Sequence, residues 1–211
     1  MLVESVNVGS PETVVLGTRS VETGIGKIAV ERAFVGRLGL AGDTVADQKH
    51  HGGPDQAVYL YTGADYAWWE EELGRRLEPG TFGENLTLSD LDREARPGDR
   101  LRIGPVLLEL TAPRVPCAVF AHRMAERGWV KRFRDAERPG AYARVLEEGQ
   151  ASVGDAIEWI PAGKPHPTLL ELFRLFYDRS APASSLRRAL GAPVAIRERR
   201  ELEKRLQKLS A

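Results

Sequence analysis

The stretch Leu101-Arg102-Ile103-Gly104-Pro105-Val106-Leu107-Leu108-Glu109-Leu110 contains two short apolar runs on either side of a Gly-Pro pair. Runs of this length, bounded by turn residues, predict two β-strands joined by a tight turn. The same pattern recurs as far as Pro161. The predicted strands are Met1–Val8, Thr13–Leu16, Lys27–Ala33, Ala57–Tyr61, Leu101–Ile103, Val106–Leu110 and Ala156–Ile160. Many short strands with turns between them favour a β-barrel or a sandwich over a doubly wound sheet.

Two helices are expected among these strands. Residues 65–77 place Trp69, Leu73 and Leu77 at four-residue spacing, which predicts an amphipathic helix. A short helix over residues 120–127 follows directly after Cys117. Because the N-terminus of a helix carries partial positive charge, this helix would favour the thiolate form of the cysteine.

The composition changes after a Pro-rich linker at residues 161–167. Thr168 and Glu171 have the spacing of a capping box, and three helices are predicted from there to Leu209. We therefore divide the chain into a mainly β domain at residues 1–162 and a small three-helix extension at residues 163–211.

The overall charge points to no special partner. The chain has 30 basic and 30 acidic residues, although residues 166–211 contain ten basic against five acidic ones. No nucleic-acid recognition motif accompanies this basic tail, so nucleic-acid binding is disfavoured. No apolar stretch is long enough to cross a membrane, and the first residues do not resemble a signal peptide. A single cysteine gives no disulfide framework, and we expect a cytoplasmic protein.

Cys117 is the only cysteine, and it lies between two prolines and a predicted helix in the segment Pro113-Arg114-Val115-Pro116-Cys117. A thiolate fixed at the end of a strand is a nucleophile or a ligand for a soft metal. The alternative from residue type alone is a small buried apolar side chain, because unpaired cysteines are often buried.

Four segments contain polar and glycine residues that packing alone does not require. They are Lys49–Gln56, Thr81–Leu86, Arg114–Cys117 and Gly140–Gly149.

In the first segment, adjacent His50 and His51 cannot share one face of a strand, so the pair alone does not predict a metal site. Gly52 and Gly53 would let the backbone approach an anion closely, although an ordinary loop explains them equally well. Arg114 would stabilise a thiolate or hold an anionic cofactor.

Together, the motifs resemble one family. In order they are Lys27, Gly39-Leu40-Ala41-Gly42-Asp43, His51-Gly52-Gly53-Pro54-Asp55-Gln56-Ala57-Val58, Phe82-Gly83-Glu84-Asn85-Leu86, Pro113-Arg114-Val115-Pro116-Cys117, Gly140-Ala141-Tyr142-Ala143-Arg144-Val145-Leu146 and Gly154-Asp155. The chain resembles the MOSC family, named after the C-terminal domain of molybdenum cofactor sulfurase. The tail is similar to the helical extension of the YiiM-like branch of that family.

The resemblance implies a MOSC-type β-barrel that binds molybdenum cofactor, in which molybdenum is held by a molybdopterin. It makes Cys117 the catalytic residue and the protein ligand of the metal. Contacts to the pterin and its phosphate are implied for Lys27, Arg114 and the Gly52-Gly53 loop. Residues implied to orient the cofactor or the substrate are His51, Asp55 and Asn85.

The resemblance also implies reduction of N-hydroxylated bases and amidoximes. The sequence has no flavin or iron–sulfur motif, so the electrons would come from a separate reductase. One alternative is a non-catalytic carrier of the cofactor or of sulfur. Others are a cysteine hydrolase using Cys117 with His51 or His122 as base, and a nucleic-acid adaptor using the Arg-rich tail. Whether the tail binds the redox partner or forms a homodimer is left open.

Overall fold

The computed structural model describes residues 1–47 and 51–210. Lys49 and His50, which belong to the first polar segment, therefore lie outside the described residues. The first half of the chain contains β1 (Val3–Gly9), β2 (Glu12–Leu16), β3 (Arg19–Thr23), β4 (Lys27–Val30), β5 (Arg32–Gly36), β6 (Gly39–Leu40), a 3₁₀ turn (Pro54–Gln56), β7 (Val58–Thr62), α1 (Gly63–Leu73), β8 (Leu86–Leu88) and β9 (Arg100–Ile103).

The second half contains β10 (Val106–Ala112), α2 (Ala118–Met124), α3 (Trp129–Ala136), β11 (Ala141–Glu147), β12 (Gly149–Ser152), β13 (Ile157–Ile160), α4 (Leu169–Tyr177), α5 (Ala183–Leu190) and α6 (Ile196–Ser210). No helix in the part of the chain that the structure describes is long and apolar enough to span a membrane.

The main sheet has eight strands in the order β13-β9-β10-β11-β7-β8-β1-β4. Neighbouring strands in this sheet are antiparallel except β7 and β8, which are parallel because α1 connects them in the chain. The β9–β10 hairpin pairs Val106 with Ile103, which confirms the predicted turn at Gly104-Pro105.

The predicted closed barrel is not confirmed. Among the described residues, β13 and β4 form no ladder with each other, and only an isolated bridge between Leu2 and Ala156 brings the two ends of the sheet near. The reason lies in the strands on either side of β4 in the chain. Strand β5 pairs with β12 and β6 in a separate sheet, and β2 pairs with β3 in a two-stranded one. The fold is therefore dominated by sheets but open, with six α-helices in its described part.

Two apolar clusters fill the main body. One is aliphatic and lies within the main sheet. The other, here called the aromatic cluster, packs α1, α2 and α3 against the sheet; its rings are Tyr59, Tyr61, Tyr66, Trp69, Phe82, Phe120, Trp129, Phe133, Tyr142 and Phe173.

The three tail helices have a core of their own, formed by residues such as Leu172, Leu186 and Leu202. The predicted capping box of Thr168 and Glu171 is confirmed at the start of α4. The same helix also contributes to both clusters of the main body. The division at residue 162 stays a prediction.

Candidate functional site

Cys117 occupies the N-cap position of α2. Its sulfur accepts a hydrogen bond from the Phe120 backbone N–H at 3.5 Å, in the position that a Ser or Asp oxygen usually takes. The thiol is unpaired and half-buried against the aromatic cluster. The helix begins two residues earlier than the sequence predicts, so the sulfur lies directly at its N-terminus.

Arg114, three residues before the thiol, is only 4% exposed. Its guanidinium carbon lies 4.7 Å from the ring centres of both Tyr59 and Phe120, so the cation is placed between two aromatic faces. Nε has no hydrogen-bond partner, and the guanidinium has no carboxylate within ion-pair distance in the described parts of the chain. A buried cation without a partner is costly and indicates a site for an anion.

Charges near Arg114 act on it in both directions. Burial lowers the pKa of the Arg114 guanidinium, but Tyr142, Tyr59, Cys117 and then Glu84 raise it above its ordinary value. The cysteine is therefore electrically coupled to the arginine. The arrangement favours a cationic guanidinium beside the thiol.

Gly83 allows a backbone loop to approach Arg114. Its φ is +73°, and a Cβ added there would lie 2.9 Å from Ile25 and 3.4 Å from Nη1 of Arg114. A larger residue would therefore be strained and would crowd the guanidinium. The loop residues Phe82 and Asn85 are buried on either side of this contact.

Lys27 and Asn85 meet at Asp43. The Lys27 ammonium forms an ion pair with Oδ1 of Asp43, which also accepts the backbone N–H of Gly9 at 2.7 Å. Oδ2 accepts the side-chain amide of Asn85 at 2.8 Å, and the amide oxygen of Asn85 accepts the Tyr59 N–H at 3.1 Å. Burial lowers the pKa of Lys27, and the pairing with Asp43 opposes that shift. Both predicted cofactor contacts thus already have partners within the protein.

His51 lies beside Tyr142, with 3.2 Å between its Nδ1 and the phenol oxygen. Burial raises the pKa of Tyr142; Arg114 lowers it, Cys117 raises it, and Arg197 on α6 lowers it. His51, Tyr142, Arg114 and Cys117 therefore form one electrostatic neighbourhood, and the tail helix contributes charge to it.

Asp55 is engaged elsewhere. One carboxylate oxygen lies 3.1 Å from Nε of Arg144, and the other accepts the N–H of Ile196 at the start of α6 at 2.8 Å. Its backbone oxygen accepts the Thr111 hydroxyl at 2.6 Å. Asp55 thus joins the loop after His51 to the tail, and its predicted cofactor contact stays a prediction.

Gly53 precedes the 3₁₀ turn with φ +88°, and open space surrounds the position of its missing Cβ. Gly52 and Gly53 lie in the loop between His51 and this turn. Their predicted contact with a phosphate stays a prediction.

The sequence-based choice missed Glu84, although Gly83-Glu84-Asn85 drew attention to the loop. Glu84 is fully buried, and its Oε1 accepts bonds from the Tyr66 hydroxyl at 2.6 Å, the Gly80 N–H at 2.7 Å and the Thr87 hydroxyl at 2.8 Å. Its Oε2 has no partner. The one sequence signal for it was a carboxylate in a glycine-rich bend.

A cavity of about 60 Å³ lies elsewhere, between α4, the start of α1 and the loops that follow β8 and α3, and is lined by residues including Asp65, Arg138 and Leu169. None of its lining residues is a predicted site residue. We therefore take the surroundings of Cys117, and not this cavity, as the candidate functional site. In the described parts of the chain, no cluster of three His, Cys, Asp or Glu side chains could hold a metal ion.

This order of segments and this fold define a family. The family model of the MOSC domain matches residues 47–158, and the chain belongs to the MOSC domain family. Among its relatives, the uncharacterized protein YflK of Bacillus subtilis (strain 168) is 34% identical over 188 residues, which cover 88% of this chain and 85% of that protein.

The crystal structure of YiiM from Geobacillus stearothermophilus matches with a TM-score of 0.80 at 26% identity, covering 97% of this chain and 98% of that one. A Gibberella moniliformis (strain M3125 / FGSC 7600) protein named "Reductase" is 30% identical over 166 residues, which are 76% of this chain but 29% of that protein. The predicted membership of the MOSC family and the likeness to YiiM are confirmed.

Proposed function

We propose that the protein binds molybdenum cofactor through Cys117 and reduces N-hydroxylated compounds such as hydroxylaminopurine-type bases and amidoximes. The observation that carries the proposal is the half-buried thiol of Cys117 beside the buried, unpaired guanidinium of Arg114. Membership of a family named after molybdenum cofactor sulfurase supports the identity of the cofactor.

The residues present fit this cofactor. Molybdenum bound to sulfur ligands is a soft centre, for which a thiolate is a suitable ligand. Since Cys117 has no neighbouring cluster of protein ligands in the described residues, the metal would have to bring its other ligands with it, as a molybdopterin does. The negative charge of the cofactor would give Arg114 the partner that it lacks.

The protein's own groups divide the remaining work. Cys117 would fix the metal at the N-terminus of α2, and Arg114 would hold an anionic group without reorganising, because two rings already restrict its plane. His51, bonded to Tyr142, would contact the substrate at the edge of the site. When bound, the cofactor would supply the two electrons of N–O cleavage.

The electrons would come from a separate reductase protein. The Gibberella relative is named a reductase, and this chain covers less than a third of it, so that protein has room for additional domains. This relation supports redox chemistry and is consistent with an outside electron donor.

The structure disfavours the hydrolase alternative. A cysteine nucleophile needs a base within hydrogen-bond reach. In the described residues, the Cys117 sulfur accepts a hydrogen bond from the Phe120 N–H, whereas His51 bonds to the Tyr142 hydroxyl.

The test is elemental analysis of protein purified from a host that makes the cofactor. We expect about one molybdenum per chain in the wild type and a large loss in Cys117→Ser, which keeps a helix-capping oxygen. Both proteins are then assayed for reduction of hydroxylaminopurine and benzamidoxime with a chemical electron donor.

Metal binding without reduction of either compound would favour the carrier alternative. Full metal content and activity in Cys117→Ser would contradict the role of the thiol. A wild-type protein free of molybdenum from such a host would contradict the whole proposal.

A further inference from the structure

Glu84 is a buried carboxyl group with an unusual division between its two oxygens. The residue is fully buried, and neither oxygen reaches a basic side chain by hydrogen bond in the described residues. Three donors converge on Oε1, whereas Oε2 has none. An ionised carboxylate can accept hydrogen bonds on both oxygens. This asymmetry fits a carboxylic acid with a carbonyl at Oε1 and a hydroxyl at Oε2.

The neighbouring side chains fix the direction of these hydrogen bonds. Ser5 donates to the amide oxygen of Asn7 at 2.7 Å, so the amide nitrogen of Asn7 is left to donate to the Thr87 hydroxyl at 3.2 Å. The Thr87 hydrogen is then available to Oε1 of Glu84, 2.8 Å away. The chain of bonds therefore delivers a donor to Oε1, so Oε1 is an acceptor and does not itself hold a proton.

The charged and titratable groups that face Glu84 come from four elements. They are Lys27 on β4, Tyr59 on β7, Tyr66 on α1 and Arg114 after β10. The charge of Lys27 is taken up by Asp43. An anion bound at Arg114 would pair the other cation, so loading of the site would further favour an uncharged Glu84.

Glu84 is also close to the candidate site. Its neighbour Gly83 lies against the Arg114 guanidinium, which is coupled to Cys117. Burial raises the pKa of Glu84 above its ordinary value of 4.5, and the bonds from Tyr66, Gly80 and Thr87 oppose that shift without cancelling it. Burial thus favours the protonated form of this group, which can release its proton during a reaction.

We propose that Glu84 holds a proton on Oε2 and supplies it to the hydroxyl group that leaves the substrate. The proposal rests on the proposed reductase function. The reaction R–NHOH + 2 e⁻ + 2 H⁺ → R–NH₂ + H₂O breaks the N–O bond and consumes two protons. One of them would come from Glu84, the other from solvent, and the electrons from the external donor. The carboxylate left behind would be stabilised by its three donors and later take up a proton from water.

The proton itself can be observed without any enzymatic activity. A protonated carboxyl group has an infrared carbonyl band that a carboxylate lacks, and the band shifts in D₂O. The spectra are recorded in a Glu198→Gln background, because burial raises the pKa of Glu198 to about 7 and its carboxyl group would contribute the same band. We expect the band in this background at neutral pH and its absence when Glu84→Gln is added. The control Glu147→Gln removes a surface carboxylate whose pKa the bonded Arg102 holds below its usual value, and should leave the band unchanged.

A second variant covers the case in which Glu84→Gln does not fold. Tyr66→Phe removes one donor to Oε1, so the carbonyl band should move to higher frequency without disappearing. In the Glu198→Gln background, absence of the band, its persistence after Glu84→Gln is added, or a band unmoved by Tyr66→Phe would each overturn the proposal.

Kinetics give an independent test. We expect kcat in Glu84→Gln to fall by about 100-fold or more, with KM nearly unchanged, because the substrate still binds but lacks its proton source. Since the pKa of Glu84 is raised, the protonated form is lost as the pH rises through that pKa, and wild-type kcat should decline on the alkaline side. The variant should lack this decline.

Equal kcat values in Glu84→Gln and the Glu147→Gln control would overturn the proposal. If the wild type reduces no N-hydroxylated compound, the proposed function fails, whereas the infrared result still decides whether Glu84 holds the proton.

Discussion

Replacing Arg114 by methionine should stabilise the cofactor-free protein while it damages the site. The side chain is 4% exposed and has neither a carboxylate nor a hydrogen bond at Nε among the described residues. Burying an ion costs several kcal/mol, here taken as about 5 kcal/mol. The cation–π contacts with Tyr59 and Phe120 offset about 1.5 kcal/mol each of this cost. The difference is about 2 kcal/mol in favour of an apolar side chain of similar length.

For a chain of this length, 2 kcal/mol corresponds to about 4–8 °C in Tm. Urea titration of protein from a host without the cofactor would show the effect as a higher midpoint at an unchanged slope. Metal content should change in the opposite direction when the same variant is made in a cofactor-producing host.

Arg138 provides the matched control. It also lies over an aromatic ring, 4.5 Å from the centre of Trp68, but it forms an ion pair with Asp65 at 2.5 Å. Arg138→Met should therefore destabilise the protein by about 2 kcal/mol, because it leaves the carboxylate without its charged partner. If Arg114→Met is destabilised as much as Arg138→Met, the guanidinium of Arg114 has a partner in the cofactor-free protein, and the reasoning is refuted.

Three further predictions concern stability and can be measured by chemical denaturation. Cys117→Ala should be about 1 kcal/mol less stable than Cys117→Ser, because only serine can cap α2; equal stabilities would show that the cap contributes nothing. Lys27→Met should lower the free energy of unfolding by about 3–5 kcal/mol, because it leaves Asp43 buried with an unpaired charge. The double variant with Asp43→Asn should recover much of this stability, and a double variant as unstable as Lys27→Met would contradict the ion pair. Gly83→Ala should lower the free energy of unfolding more than Gly104→Ala does. Both glycines have positive φ, but only at Gly83 would the new Cβ meet a neighbouring side chain, at 2.9 Å. Equal losses of stability would mean that the positive φ alone accounts for the effect.

Local sequence signals predicted the elements that local interactions determine. The β9–β10 hairpin follows from a two-residue turn between apolar runs, and α4 begins at a capping box. The helix predicted to reach Leu77 ends at Leu73, because Gly74 adopts a left-handed conformation. The strand predicted over residues 27–33 is divided at Glu31, because β4 and β5 pair with different sheets.

Long-range pairing was not predictable in this way. Strand β8 is three residues long, and it is defined by its parallel pairing with β7 and its antiparallel pairing with β1. The open sheet has the same origin, because the choice between closing a barrel and pairing β5 with β12 is made between segments more than 100 residues apart. Sequence patterns record which residues face a core but not which strand lies beside them.

The candidate site shows the same limit. Cys117 and Arg114 were recognisable because they are close in sequence and belong to one motif. Lys27 and Asn85 also belong to motifs, but whether their polar groups are available for a ligand depends on Asp43, which is 16 residues from one and 42 from the other. Glu84 depends on Tyr66 and Thr87 in the same manner.

These buried polar groups divide according to whether the protein itself satisfies them. Lys27, Asp43 and Asn85 bond to one another, which is what a scaffold requires. Arg114 and Glu84 each keep a buried atom without a partner, and both lie next to Gly83, whose positive φ would strain any larger residue. Folding selects against such defects, and natural proteins retain them mainly where a ligand or a reaction uses them. On the proposed function, a bound ligand or the reaction would use the two unsatisfied groups, Arg114 and Glu84, and the satisfied groups Lys27, Asp43 and Asn85 would hold them in place.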